Sequence, residues 1–127
     1  MKKQEIKLWV DDIRPAPEGW LQARNVTDAI KTISRFREDI TDISLDHDIS
    51  MAVMVDGTQR PFPSRETFQA VAYFIVAVYG QLEKHLMPTI TIHTANPVGA
   101  DELLAILSGF PTQVAPESRV NRLESEV

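Results

Sequence analysis

Cysteine is absent from this chain of 127 residues. Its absence excludes disulfide bonds, cysteine nucleophiles and thiolate zinc sites, and it is typical of a reducing compartment. Long hydrophobic runs are absent as well, because the longest, residues 71–78, falls far short of the roughly 20 residues that span a bilayer. The start Met-Lys-Lys-Gln-Glu leads into a predicted strand rather than a secretory hydrophobic segment. We therefore expect a soluble, cytoplasmic protein without a membrane partner.

Positive charge is scarce in this chain. It has 13 basic and 18 acidic residues, a net charge of -5 and no long block of either sign. A protein that follows the backbone of a nucleic acid duplex needs a basic face that releases counterions. Extended duplex binding is therefore not expected. Recognition of a small phosphate-bearing substrate or of one RNA end needs only a few groups, and the sequence allows it.

The apolar pattern predicts one α/β domain over residues 1–116, followed by a polar C-terminal tail at 117–127. Strands are predicted near residues 6–10, 21–24, 42–46, 89–94 and 112–115, and helices at 26–36, at 64–86 and from 97 up to Gly109. Right-handed crossovers convert this order into a three-layer sandwich of flavodoxin type. Its five-stranded, mostly parallel sheet is predicted to have the order 2-1-3-4-5.

The helix starts and the loops are marked by particular residue types. Asn25 or Thr27 is expected to cap the first helix and Ser64 the second. Asn96 is expected to cap the third, with Pro97 at the first helical position. Proline and glycine predict loops at residues 11–20 and 49–63.

Polar residues follow three of the predicted strands. Asp11 and Asp12 follow the first strand, and Asp46 ends the third. Because ligands bind at the carboxyl ends of parallel strands, these carboxylates are expected to meet at one edge of the sheet. Carboxylate oxygens suit Mg²⁺ or Mn²⁺, and a divalent cation allows three neighbouring carboxylates to stay ionised. The sequence therefore predicts a metal site formed by these three residues.

Three motifs together resemble those of the cyclic-phosphate processing receiver family, a divergent branch of the response-regulator receiver domains. They are Asp-Asp-Ile-Arg-Pro-x-Pro-x-Gly-Trp at 11–20, Ser-Leu-Asp-His-Asp at 44–48 and His-Thr-Ala-Asn-Pro-Val-Gly at 93–99. The resemblance implies a receiver fold whose first helix is replaced by the loop at 11–20. It also implies an acidic metal pair at Asp11 and Asp12, a phosphoacceptor equivalent at Asp46 and a phosphoryl contact at Thr94.

The same resemblance implies hydrolysis of cyclic phosphates, such as 2′,3′-cyclic ends of RNA or cyclic nucleotides. Opening a cyclic phosphodiester needs one group that deprotonates water and another that protonates the departing alkoxide. Histidine titrates in the useful range for both, so we expect His47 and His93 to share these roles beside Asp46. Contacts to phosphate or substrate are expected from Arg14, Thr94, Asn96 and Asp48.

Two other functions fit the same residues. One is a receiver-like module without catalytic activity that binds a protein partner or a nucleotide. The other is a phosphoacceptor domain modified at Asp46. Receivers carry a lysine after the fifth strand, where this chain has Val114-Ala115-Pro116, and this departure weighs against the phosphoacceptor function. Structural roles are also open for individual residues, since Asn96 can cap a helix and each histidine can bond its neighbours at a strand end.

Overall fold

A parallel sheet of five strands forms the centre of the protein in a computed structural model that describes residues 4–116. The described residues form seven strands, which are β1 (Ile6–Val10), β2 (Leu21–Ala23), β3 (Ile40–Leu45), β4 (Asp48–Val55), β5 (Thr58–Thr67), β6 (Thr89–Ile92) and β7 (Thr112–Val114). Their helices are α1 (Val26–Phe36), α2 (Gln69–Tyr79) and α3 (Pro97–Ile106), and Lys84–Leu86 forms one 3-10 turn. The tail predicted at 117–127 lies outside the described residues.

The sheet has the order β2-β1-β3-β6-β7, and every neighbouring pair is parallel. Because β4 and β5 pair only with each other in the described part of the chain, the five remaining strands have the predicted 2-1-3-4-5 order of a flavodoxin-type α/β fold. The predicted fold is therefore confirmed. β1, β3 and β6 are adjacent, so their carboxyl ends lie side by side.

The three helices cover one face of this sheet. The connections through α1, α2 and α3 all step across the sheet in the same direction, and right-handed crossovers of that kind place their helices on one face. α1 contacts α2, and α2 contacts α3. Burial alternates along β1 and β6, with Leu8, Val10, Ile90 and Ile92 fully buried on the helical side. These side chains and the apolar faces of the helices form the hydrophobic core.

The loop at 11–20 connects β1 to β2 and steps across the sheet in the opposite direction, toward the other face. Trp20 at its end packs edge-on against Trp9 of β1, with ring centroids 5.9 Å apart. Trp9 alternates with the buried Leu8 and Val10, so it points away from the helices. In this part of the chain the layer on the second face is a loop, as the resemblance implied.

The caps of α1 and α3 agree with the sequence prediction. Asn25 Oδ1 accepts a hydrogen bond from the backbone N–H of Asp28 at 2.8 Å, and Asn96 Oδ1 accepts one from Gly99 at 3.0 Å. Pro97 takes the first position of α3, where its missing N–H costs nothing. Asn25, and not Thr27, is the cap of α1.

The loop predicted at 49–63 is wrong, because the chain forms an antiparallel hairpin of β4 and β5 there. Its two-residue turn is Asp56-Gly57, where both residues have positive φ (50° and 75°), as a type I′ turn requires. The prediction failed because proline is unfavourable inside a sheet, so that Pro61 and Pro63 indicate a loop. Among residues 4–116, β5 pairs on one side only, and a strand edge without a partner tolerates residues that lack an N–H.

The helix predicted at 64–86 is also wrong in its limits. Ser64 lies in β5 and caps no helix, and α2 begins only after Phe68, whose backbone N–H donates to the carbonyl of His47 at 2.7 Å. The C-cap is Gly80, and a separate 3-10 turn follows. The predicted length failed because the segment contains a strand end, a helix and a turn. Its apolar centre at 71–78 is helical, as predicted.

Candidate functional site

Three carboxylates meet at the carboxyl ends of β1 and β3. One oxygen each from Asp11, Asp12 and Asp46 lies within 4.8 Å of the other two. Asp11 is 1% exposed and Asp46 is 8% exposed, so two of the three are largely removed from water. Three hard oxygen donors at this spacing are the ligand type that Mg²⁺ and Mn²⁺ prefer. The donor set therefore fits the divalent cation that the sequence predicts.

Asp11 is fixed in place by several hydrogen bonds. Its Oδ1 accepts from the backbone N–H groups of Ile13 and Arg14, each at 2.9 Å, and its Oδ2 lies 2.9 Å from His93 Nε2. Burial alone raises the pKa of Asp11, but the His93 hydrogen bond, together with the two backbone N–H groups, outweighs it and lowers the pKa below its usual value. Asp11 is thus held as a carboxylate.

Asp46 is in the opposite electrostatic situation. Burial, followed by the charge of Asp11, raises its pKa to about 6, although the backbone N–H of His47 and the Thr94 side chain donate to it. The neighbouring negative charge is thus not compensated by the protein's own groups. A cation bound among the carboxylates would supply that compensation, which is the second reason why the cluster fits a metal.

His93 lies behind the acidic cluster and is 1% exposed. Its ring stacks on Trp9 with centroids 3.9 Å apart, and its Nδ1 lies 2.6 Å from Ser44 Oγ. Because ionised Asp11 can only accept, His93 donates from Nε2, and a neutral ring then accepts from Ser44 at Nδ1. Both ring nitrogens are therefore engaged, and one of them orients a predicted metal ligand.

Arg14 braces the same loop from its other side. Its guanidinium donates to the backbone carbonyl of His93 at 3.2 Å, and its own carbonyl accepts from Trp9 Nε1 at 3.0 Å. Gln22 Nε2 donates to the carbonyls of Asp11 and Arg14 at 3.0 and 2.9 Å. These contacts fix the backbone of the loop that carries the acidic pair.

His47 follows Asp46 directly and lies between two carboxylates. Its Nδ1 is 2.7 Å from Asp48 Oδ1 and its Nε2 is 2.8 Å from Glu102 Oε2. Ionised carboxylates only accept hydrogen bonds, so the ring nitrogen that bonds to either of them acts as the donor. Gln69 Nε2 also donates to Glu102 and lies 3.0 Å from His47 Nε2.

A chain of hydrogen bonds links His47 to the acidic cluster. Asn96 Nδ2 donates to Asp48 at 3.2 and 3.3 Å, while the backbone N–H of Asn96 donates to Thr94 Oγ1 at 3.2 Å. The Thr94 side chain in turn bonds to Asp46. The Nδ1 atom of His47 is therefore the one connected to the acidic cluster, whereas Glu102 contacts the Nε2 atom on the opposite side of the ring.

Glu102 and Gln69 are the site residues that the sequence analysis missed. Both lie outside the three motifs, on α3 and at the first position of α2. Glu102 follows Gly99 by three residues and the two share a helix face, but the sequence does not indicate that this face lies against His47. An added Cβ at Gly99 would lie 2.5 Å from the His47 ring, so this face of α3 packs directly on the histidine.

The fold and the acidic cluster at the carboxyl edge together define a receiver-type domain. A family model described as the cyclic-phosphate processing receiver domain matches residues 6–109, and the chain belongs to this family. The resemblance drawn from the three motifs is thus confirmed. No curated protein and no solved structure matches the chain. Within the described residues 4–116, no helix is long and apolar enough to cross a membrane.

Proposed function

We propose that this protein is a divalent-metal-dependent phosphoesterase that hydrolyses a cyclic phosphate, such as a 2′,3′-cyclic RNA end or a cyclic nucleotide. The observation that carries the proposal is the joining of the acidic cluster to His47 through Thr94, Asn96 and Asp48. An ordinary phosphoacceptor site does not require the histidine. Membership of a family described by cyclic-phosphate processing supports the same reaction.

Asp11, Asp12 and Asp46 would hold Mg²⁺ or Mn²⁺. When bound, the ion would offset the three negative charges and polarise a phosphoryl oxygen. His93 contributes by keeping the Oδ2 of Asp11 in one orientation, since partners behind a metal ligand fix its geometry. The buried, stacked position of His93 supports this orienting role over a shared role in proton transfer.

Hydrolysis of the ring adds water across one P–O bond. The oxygen of water forms a bond to phosphorus and gives up one proton to solvent, while the P–O bond to the ribose or alcohol oxygen breaks. The departing oxygen takes up a proton from a group of the protein, which solvent then reprotonates, and a phosphomonoester remains. His47 is the proposed donor of that proton from Nδ1, after substrate displaces the half-exposed Asp48 carboxylate. The link from Asp48 through Asn96 toward the acidic cluster supports Nδ1 as the substrate side.

Arg14, Thr94 and Asn96 are proposed to position the phosphate and its leaving group, and Asp48, once displaced from His47, is proposed to act on the substrate through its hydrogen bonds to Asn96. The planar guanidinium of Arg14 has five N–H donors, of which the His93 carbonyl takes one. Thr94 offers a hydroxyl beside Asp46. Asn96 and Asp48 hold each other at the same edge, so substrate that moves one of them affects the other.

The test is incubation with an oligonucleotide ending in a 2′,3′-cyclic phosphate, and with a cyclic mononucleotide, in Mn²⁺ or in chelator. We expect a metal-dependent gain of one water by mass. We expect Asp46→Asn to abolish it and His47→Gln to lower the rate by roughly 10²- to 10⁴-fold. The control is Asp42→Asn, a carboxylate in the middle of the same strand. Folded protein that hydrolyses neither substrate would instead favour a binding module.

A further inference from the structure

Two side chains from different helices converge on the Nε2 atom of His47. Glu102 Oε2 lies 2.8 Å from Nε2, and Gln69 Nε2 donates to the same Glu102 oxygen. The carboxylate thus accepts from both neighbours, because an ionised carboxylate has no proton to give. Neither Glu102 nor Gln69 belongs to the three motifs that resemble those of the family.

The approach of α3 makes this contact possible. Gly99 lies against the His47 ring, where any Cβ would come within 2.5 Å of ring atoms. Glu102 stands one turn further along the same helix face, so the close approach at Gly99 brings its carboxylate to Nε2. Asn96 fixes the start of this helix through the Gly99 N–H. The helix is therefore placed by residues that belong to the site.

The contact differs from an ordinary surface ion pair. The His47 side chain is 6% exposed and that of Glu102 is 46% exposed, and His47 Nε2 lies 2.8 Å from Glu102 Oε2. In the Glu83–His85 pair the side chains are 78% and 71% exposed, and Glu83 Oε2 lies 3.5 Å from His85 Nδ1. Exposed pairs contribute little, whereas a buried ring with a direct partner at each nitrogen has a fixed orientation. The chain thus contains both an ordered pair and a loose pair of the same residue types.

We propose that Glu102 is a positioning residue for His47, and that Gln69 keeps the Glu102 carboxylate in place. The inference rests on the proposed function, in which His47 donates a proton to the substrate from Nδ1 while Nε2 stays bonded to Glu102. A carboxylate on the far nitrogen of a catalytic histidine orients the ring and fixes which nitrogen faces the substrate. Loss of such a partner typically lowers activity by about 10- to 100-fold.

The kinetic test compares Glu102→Gln with Glu83→Gln, using the cyclic mononucleotide as substrate. We expect Glu102→Gln to lower kcat by about 10- to 100-fold with KM and Mn²⁺ affinity unchanged, because substrate and metal bind on the other side of His47. We expect Glu83→Gln to leave both kinetic constants unchanged. A Glu102→Gln protein with wild-type kcat, or with a change confined to KM, would overturn the proposal.

A second measurement does not depend on activity. In proton–nitrogen NMR spectra of the metal-free protein, the proton on His47 Nε2 should give a signal protected from exchange with water. Glu102→Ala should remove that signal and Gln69→Ala should shift it, while the backbone spectrum stays that of the folded protein. An unchanged signal in Glu102→Ala would refute the positioning role. If the signal is lost as expected but wild type hydrolyses no cyclic phosphate, the proposed function fails and the contact itself stands.

Discussion

At the scale of the residue, the site is governed by two aspartates with opposite pKa shifts. Asp11 has its charge stabilised by His93 and two backbone N–H groups, whereas burial and the charge of Asp11 raise the pKa of Asp46 to about 6. The protein thus pays a folding penalty for a charge that a bound cation would relieve. This difference makes Asp46 the residue whose replacement is most informative.

Asp46→Asn should stabilise the metal-free protein at neutral pH. The folded pKa of about 6 exceeds the ordinary pKa of 3.8, so the stability from this group is complete below about pH 4 and is lost as pH rises through 6. At about 1.4 kcal/mol per pKa unit the loss is about 3 kcal/mol. Urea unfolding in chelator from pH 4 to pH 7 measures it. The difference in free energy of unfolding between Asp46→Asn and wild type should grow over this range, whereas the same difference for Asp42→Asn should stay constant. A constant difference for Asp46→Asn would contradict the account.

His93→Gln should weaken metal binding, although His93 is not one of the predicted metal ligands. The substitution removes the stack on Trp9 and the paired contacts to Asp11 and Ser44, and partners behind a metal ligand are typically worth about 10- to 100-fold in affinity. Calorimetric titration with Mn²⁺ measures the change. His85→Gln is the matched control, because that histidine is exposed and bonds only weakly to Glu83. Equal affinities in the two variants would show that His93 does not orient Asp11.

At the scale of the element, the start of α3 is the part that joins fold to site. Asn96 caps the helix, Pro97 begins it, and Gly99 allows it to pack on His47. Helix propensity alone favours alanine over glycine by about 1 kcal/mol. The position of the His47 ring reverses that preference here.

Gly99→Ala should destabilise the protein and reduce activity. Its Cβ would lie 2.5 Å from the His47 ring, and such overpacking costs roughly 1–3 kcal/mol because either the ring or α3 must move. Thermal unfolding and the rate of cyclic phosphate hydrolysis measure the two effects. Gly109→Ala, where an added Cβ meets nothing within 4 Å, should leave both unchanged. If Gly99→Ala is as stable and active as Gly109→Ala, the packing of α3 on His47 has no functional weight.

The hairpin of β4 and β5 should be separable from the metal site. It begins at Asp48, and among residues 4–116 it pairs with no strand of the five-stranded sheet. Deleting residues 52–55 and 58–61 moves the Asp56-Gly57 turn to the Met51–Phe62 pair and keeps the stem. We expect the deletion protein to unfold cooperatively. Its Mn²⁺ affinity should stay within about twofold of wild type, as is usual for changes distant from a site. Loss of metal binding in a folded deletion protein would show that the hairpin supports the acidic cluster.

Some of these elements follow from local sequence patterns, and others depend on tertiary structure. The parallel strands and the caps at Asn25 and Asn96 follow from local patterns, so they were predictable. The Asp56-Gly57 turn is a direct signal for the hairpin, but Pro61 and Pro63 conflict with that signal. Whether a strand tolerates proline depends on whether its edge has a partner, which is a tertiary property that the sequence does not show. The limits of α2 failed because β5 extends to Thr67 before the helix begins.

The candidate site shows the same division. Asp11, Asp12 and Asp46 could be placed together from strand ends and sheet topology alone. Glu102 and Gln69 could not, because they lie within helices and reach His47 only through the packing of α2 and α3. The contacts of His93 depend on Trp9 and Ser44, which its neighbours in sequence do not reveal.

At the scale of the whole molecule, the sheet order determines where the chemistry collects. β1, β3 and β6 are adjacent, and their carboxyl ends bring the three motifs to one edge. The helices lie on one face and the loop at 11–20 on the other, so the edge is shaped by α2 and α3 from one side and by the loop from the other. The central claim is that a metal ion at the acidic cluster and cyclic phosphate hydrolysis belong to one site.

The measurement that tests this claim most directly follows Mn²⁺ occupancy and hydrolysis in the same sample. Electron paramagnetic resonance reports bound Mn²⁺ while mass spectrometry follows the oligonucleotide with a 2′,3′-cyclic end. The account predicts that hydrolysis rises in proportion to occupancy, and that Asp46→Asn loses both. Hydrolysis that persists without bound ion, or full occupancy of folded wild-type protein with no hydrolysis of the cyclic end or of a cyclic nucleotide, would contradict it.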